Sequence, residues 1–243
     1  KIGKMPMDMT AKAHTEYICS AEEFNQILKR FPADNCFHLS LVVPYNTGTR
    51  IGETFAIDLS QDVDFEKHEL RIHGQMQKVE KTWYIKPPKY DSYRTIKMGE
   101  TLEKELKFAI QQRRINKLKY GGAYSKTYLL PDRSIAQIRA DIDVPYKEIL
   151  PLCVKENGAL LTPDSFKYCA RIIHYELNNP LFHAHCLRHT HGTILAENGV
   201  NPKTVMERLG HKDITTTLQT YTFNTDAMQQ TAVDVFENAI QTQ

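Results

Sequence analysis

Apolar residues recur at three- and four-residue intervals along most of this chain, and the places where the interval fails mark its architecture. Ser20-Ala21-Glu22-Glu23 sets an N-cap serine three residues ahead of a glutamate, and Phe24, Ile27, Leu28 and Phe31 follow on one face, so a helix starts there. Residues 37–45 are mostly apolar and predict a second, largely buried helix. Beyond Arg50, residues 51–59 predict a short helix with Phe55 and Leu59 on one face. The helical period is lost between 62 and 99, where residues 69–73, 78–85 and 93–98 read as strands and 86–92, with two prolines, as a turn. It returns over 102–118, with Leu102, Leu106 and Ile110 in line.

Residues 120–160 carry the weakest pattern. Gly121-Gly122 breaks the helix, residues 134–139 and 149–154 read as strands, and Glu156-Asn157-Gly158 as a turn. Thr162-Pro163-Asp164 caps a helix through Phe166, Cys169 and Ile173. Residues 185–198 predict a buried helix stopped by Gly199, and 202–209 a short one opened by proline. Near the end, Met228, Ala232, Val235, Phe236, Ala239 and Ile240 give an amphipathic helix of about four turns. The expected fold is α+β, mostly α-helical with a small antiparallel β-sheet. It divides into a polar tail (1–14), one domain (15–224) and the terminal helix (225–243).

Composition adds little to this until it is resolved along the chain. A hydrophobic content of 41% and a charged content of 25% over 243 residues suit a globular enzyme. A net charge of +2 does not announce a nucleic-acid partner. Between Lys86 and Arg133, however, twelve Lys and Arg stand against five Asp and Glu, locally +7. Residues 222–243 hold no Lys or Arg and three acids, Asp226, Asp234 and Glu237, so that end is not expected on a phosphate backbone. Five cysteines without paired spacing point to a reduced, cytoplasmic compartment, and with no twenty-residue apolar run no membrane partner is expected.

Candidate chemistry is concentrated in the last quarter. His185-Cys186-Leu187-Arg188 is followed by Leu209-Gly210-His211 and, ten residues past His211, by Tyr221. A tyrosine attacking a phosphodiester needs positive donors on the non-bridging oxygens, an acceptor for the phenolic proton and a donor for the leaving oxygen. Arg188, His211, His185 and Tyr221 supply all but the last; Thr47-Gly48-Thr49-Arg50-Ile51-Gly52-Glu53 adds a second arginine on a glycine-flanked turn, and Lys89 lies in a basic, hairpin-like stretch. The neighbouring His183, His189 and His191 raise zinc as a rival. Residues two apart on a helix point about 200° apart, which leaves only His185 with His189 as a feasible pair and disfavours a metal.

Taken in order and at these spacings, Thr-Gly-x-Arg-x-Gly-Glu (47–53), His-x-x-Arg-His-Thr (185–190), Leu-Gly-His (209–211) and Thr-Thr-Leu-x-Thr-Tyr (216–221) resemble the catalytic domain of tyrosine recombinases, in particular phage and conjugative-transposon integrases. The resemblance covers roughly residues 15–225. It implies Arg50 and Arg188 on the scissile phosphate, His185 as proton acceptor, His211 as a further phosphate donor, Tyr221 as nucleophile and Lys89 as the acid for the leaving 5′ oxygen, with Lys86 second. It implies double-stranded DNA as partner, at element ends and a target site, with a four-way junction inside a tetramer exchanging C-terminal tails. Neither metal nor ATP is needed, and the setting is bacterial and nucleoid-associated. Arg94, Lys97, Lys126 and Lys212 are expected on DNA. The family's core-binding and arm-binding domains do not fit ahead of residue 15, so the chain is expected to be a fragment with poor catalysis alone. A tyrosine-class topoisomerase and a DNA-binding regulator without catalysis are the alternatives.

Overall fold

The first helix forms for the reason its sequence suggests. In α1 (Ala21–Arg30) the Ser20 hydroxyl accepts from the Glu23 amide, and the Glu23 carboxylate accepts from the Ser20 amide at 2.8 Å. Its Phe24 and Ile27 are buried. α2 (His38–Thr47) is buried along nearly its whole length, with Leu41 and Val43 fully inaccessible, and the helices 51–56, 100–120 and 184–197 pack against it. The computed structural model describes residues 17–212 and 226–241; the polar stretch 1–14 and Tyr221 lie outside the described residues.

After α3 (Ile51–Ala56) come, among the described residues, eight short strands, all antiparallel and in three small sheets: β1 (Val63–Asp64), β2 (Glu69–Ile72), β3 (Gln75–Val79), β4 (Thr82–Lys86), β5 (Arg94–Lys97), β6 (Ser125–Leu129), β7 (Ile135–Arg139) and β8 (Lys147–Ile149). The first sheet runs β1-β2-β5, the second is the β3–β4 hairpin, and the third runs β7-β6-β8. Two sequence expectations change here. Residues 78–85 are not one strand but a hairpin, with Val79 opposite Thr82 and Glu80 at φ 53, a left-handed turn made without glycine or asparagine. α3 stops at Ala56 rather than at 59, because the next residues pair with 150–152: the Leu59 amide donates to the Leu150 carbonyl and the Leu152 amide to that of Ile57.

The irregular region 120–160 is largely the third sheet, whose centre, β6, was not anticipated. Thr127 and Tyr128 are both buried, so the strand shows no alternation to read. Asp58 pins this sheet to the loop after α3, accepting from the Leu150 amide at 3.0 Å. At its other end Arg133 donates through Nε to the Ile85 carbonyl of the β3–β4 hairpin. α4 (Glu100–Tyr120) separates the first two sheets from the third in sequence and buries Leu102 and Leu106.

α5 (Pro163–Glu176), α6 (Ala184–Glu197) and α7 (Pro202–Leu209) complete the core side, and α8 (Asp226–Gln241) is the terminal helix. α6 packs along α2, and α7 along α6. Gly48 caps α2 in a left-handed turn at φ 69, where a Cβ would lie 2.3 Å from Leu209 Cδ2 and 2.9 Å from His191 Cδ2. Gly48→Ala is therefore expected to cost about 2–4 kcal/mol from backbone strain and overpacking together, read as a lower urea midpoint with unchanged slope.

Candidate catalytic site

Three chain segments meet where α2 ends. The first is the turn Thr47-Gly48-Thr49, built by hydroxyls: Thr47 Oγ1 donates to the Val43 carbonyl at 2.6 Å, and Thr49 Oγ1 bonds Thr54 Oγ1 at 2.8 Å. It delivers Arg50 to the start of α3. There Glu53 accepts from the Arg50 amide at 2.9 Å and from its Nη1 at 2.8 Å. The second segment is the face of α6 that carries His185 and Arg188, three residues apart and so on one side. The third is the end of α7, where Gly210 at φ 69 reverses the chain and the His211 amide bonds back to the Met206 carbonyl.

The last carbonyls of a helix lack intrahelical donors and form the negative end of its dipole. Here both arginines use them. Arg188, 1% exposed, donates through Nη1 to Leu209 O at 2.8 Å and to Gly48 O at 2.7 Å. Arg50 donates through Nη2 to Gly210 O at 3.2 Å while its side chain stays 19% exposed. Main-chain oxygens thus hold the buried Arg188, while the more exposed Arg50 is held by Gly210 O and the Glu53 carboxylate together.

The histidines sit in a positive field. Burial and then the charges of Arg188, Arg50 and Arg94 push His211 down to about 3. His185 falls to about 4, from burial first and then from His189, Arg188, His183 and Arg50. Its ring meets that of His189 edge to face, 4.6 Å between centroids. Both site histidines are neutral at pH 7, which lets His185 accept a proton. An arriving phosphate brings negative charge and raises both, so the site becomes a stronger base when substrate binds.

Behind them, Arg208 donates through Nε to His191 Nε2 at 2.9 Å, and His191 Nδ1 donates to the Tyr45 carbonyl. Arg208 also reaches the carbonyls of Lys97 and Asn46, fastening α7 to α2 and β5. Burial, followed by the Arg208 charge, pushes His191 down to about 4. An unfolded histidine titrates near 6.5. Between about pH 6.5 and 4 the unfolded chain therefore binds the proton that the folded one refuses. The stabilisation is complete above the upper value and is lost as pH falls through the lower. The melting temperature is expected to drop over that window, and His191→Asn is expected to flatten the drop.

Lys89 opens a single 3-10 turn, Lys89–Asp91, with its Nζ 4.9 Å from the Tyr90 ring centroid. Tyr90 to Arg94 line a cleft of about 750 Å³ together with His211 and Lys212; Lys89, Arg50, Arg188 and His185 do not line it. The expected DNA contacts divide. Lys97, 70% exposed, pairs with Glu69, and Lys212 is exposed beside His211. Lys126 pairs with Glu148 across β6 and β8. Arg94 differs from the expectation, because its guanidinium is 7% exposed and its donors go to Glu53, Arg208 O and Ser92 O. Glu53, His191 and Arg208 carried no assigned role in the sequence reading. Glu53 was legible as the last residue of its motif and His191 only as one of the clustered histidines that raised zinc; Arg208 gave no signal. Among the described residues no group of three His, Cys, Asp or Glu is placed to hold a metal ion.

The chain belongs to the phage integrase family, whose profile matches residues 19–228. It is 28% identical over 229 residues to the tyrosine recombinase XerC-like protein of Caldanaerobacter subterraneus subsp. tengcongensis, covering 90% of this chain and 53% of that protein. It is 26% identical over 231 residues to the transposase from transposon Tn916 of Enterococcus faecalis, covering 90% and 52%. The chain spans about half the length of the curated relatives it matches. The Tn1549 transposon integrase in complex with a circular intermediate DNA shares the fold, with a TM-score of 0.67 and 21% identity over 92% of this chain and 67% of that one. XerH site-specific recombinase bound to palindromic difH substrate matches at 0.55 and 20%, over 95% and 56%.

Proposed function

We propose that this chain is the strand-transfer portion of a site-specific DNA recombinase of a mobile element. The observation that carries the reading is that the carbonyls of Gly48, Leu209 and Gly210 tether Arg50 and Arg188 side by side, with His185 and His211 both inside the field of those two charges. The Tyr221 hydroxyl attacks the phosphorus of double-stranded DNA and its proton passes to His185. The bond from phosphorus to the 5′ oxygen breaks, and Lys89 protonates that oxygen. The arginines and His211 hold the charge that develops on the non-bridging oxygens. Attack by a partner strand's 5′ hydroxyl reverses each transfer and returns the tyrosine, so two rounds pass through a four-way junction. One phosphodiester replaces another, so the reaction needs no ATP, and the permanent charge of two arginines serves where a metal would otherwise sit.

The partners follow from the same reading. α8 carries no Lys or Arg, and its Val235, Phe236 and Ile240 are 63%, 63% and 52% exposed, an apolar set suited to a second copy within a DNA-bound tetramer rather than to DNA. No helix among the described residues is long and apolar enough to cross a membrane. All five cysteines are unpaired, in keeping with work on chromosomal DNA in a bacterial cytoplasm.

The test is a nicked suicide duplex carrying the element's end, incubated with the full-length protein in the presence of a chelator. A denaturant-resistant protein–DNA band is the expected product. Its absence favours the non-catalytic regulator. Relaxation of supercoils without junction formation favours a topoisomerase.

A further inference from the structure

Arg94 joins the separate pieces of the pocket, and the reaction scheme above gives it no part. Its Nη2 donates to Glu53 Oε2 at 2.7 Å and its Nη1 to Glu53 Oε1 at 3.3 Å, a two-pronged pair with a carboxylate that has no exposure. Its Nε donates to the Arg208 carbonyl at 2.8 Å, and Nη1 reaches the Ser92 carbonyl at 3.1 Å. The same Glu53 holds the amide and Nη1 of Arg50. Arg94 therefore touches the start of α3 that aims Arg50, the last turn of α7 that presents His211, and the end of the turn that bears Lys89. Gly210 packs directly on it, since a Cβ there would lie 2.8 Å from Arg94 Nη1.

The lysine turn has few other tethers. Tyr90 and Asp91 are both left-handed, at φ 61 and 52, and Tyr90 is 61% exposed. Gln75 Nε2 holds the Pro87 carbonyl at the near end. At the far end the Arg94 bond to Ser92 is the link to the buried carboxylate. Burial alone would raise the Glu53 carboxyl, but the bonds and charges of Arg94 and Arg50 hold it below the usual carboxylate range, so the link stays charged.

We infer that Arg94 is a positioning residue: acting through Glu53 and the Ser92 and Arg208 carbonyls, it locks the lysine turn to the arginine–histidine pocket and makes no contact with DNA. The inference rests on the recombinase reading and adds that arrival of the leaving-group acid is set by this pair.

Arg94→Lys keeps the charge and loses the fork. On an ordinary suicide duplex, single-turnover cleavage by the full-length protein is expected to fall about a hundredfold. With sulfur in place of the bridging 5′ oxygen the leaving group departs as a thiolate that needs no proton, and the deficit is expected to shrink to about tenfold or less. DNA affinity and its slope against salt stay at wild-type values, because no phosphate contact has been removed. Equal losses on both duplexes would overturn the inference in favour of a purely structural role. Weaker binding with a shallower salt slope would overturn it by making Arg94 a DNA contact. Should the lysine variant melt early, Arg94→Gln, which leaves Glu53 paired with Arg50, gives the same comparison. Absence of any adduct from the wild type on either duplex is the separate failure of the recombinase reading, and the inference falls with it.

Discussion

Tyr221→Phe is expected to abolish the covalent protein–DNA product completely while leaving DNA binding intact. The substitution removes one oxygen and nothing else, so the arginines, the histidines and the phosphate contacts that carry affinity are untouched. A gel run without denaturant should show the same shift as the wild type, and a denaturing gel should show no band. The chain has twelve tyrosines, which makes the variant the decisive control. Only a residue whose loss silences the reaction without loosening the complex is the nucleophile. A surviving adduct would move the role to another hydroxyl and break the assignment made from its spacing behind His211.

The second large effect is expected at Arg188. Arg188→Lys retains the charge, yet one ammonium on a flexible stem cannot serve two carbonyls and a phosphate oxygen at once. The Nη1 bonds to Gly48 O and Leu209 O tie the ends of α2 and α7 at the pocket floor, beside the Arg208 contacts between the same helices. Cleavage is expected to fall about a thousandfold, the scale of losing a preorganised donor to a developing charge. Stability is expected to fall by about 2–4 kcal/mol, because carbonyls buried without donors are costly. Single-turnover cleavage and urea unfolding of the same preparation measure the two losses. Arg50→Lys should lose cleavage on a similar scale with less stability, since Arg50 keeps 19% of its side chain in solvent and grips one carbonyl. Full activity in Arg188→Lys would reduce that arginine to a core strut.

The helices were legible because their signals are local. Ser20 with Glu23, Thr162 with Pro163 and the glycines at 48, 199 and 210 act within one turn, and each marks an observed boundary. The errors came from distant partners or from backbone that broke its own preference. Residues 57–59 leave the helix to pair with a segment some ninety residues away, and Glu80 makes a hairpin turn in a conformation that glycine usually takes. The site divides in the same way. The side chains proposed to meet the phosphate are named by motifs, whereas those that aim them are recognised through carbonyl oxygens, which every residue possesses. Arg94 illustrates the limit: from sequence it is a basic strand residue beside a lysine turn, and its pairing with a buried carboxylate shows only in the fold.

That carbonyl cradle also bears on how such a chain changes over time. Gly48, Leu209 and Gly210 hold the two arginines with atoms that mutation does not alter, provided the turns keep their left-handed glycines. Side chains that merely line the pocket can then change without moving those oxygens. What has to be kept is two bends, a spacing and the few buried side chains, Glu53 and Arg94 among them, that fasten the segments together. A fold held in this way can persist while the sequence drifts, and this chain shares its fold with the Tn1549 integrase at 21% identity.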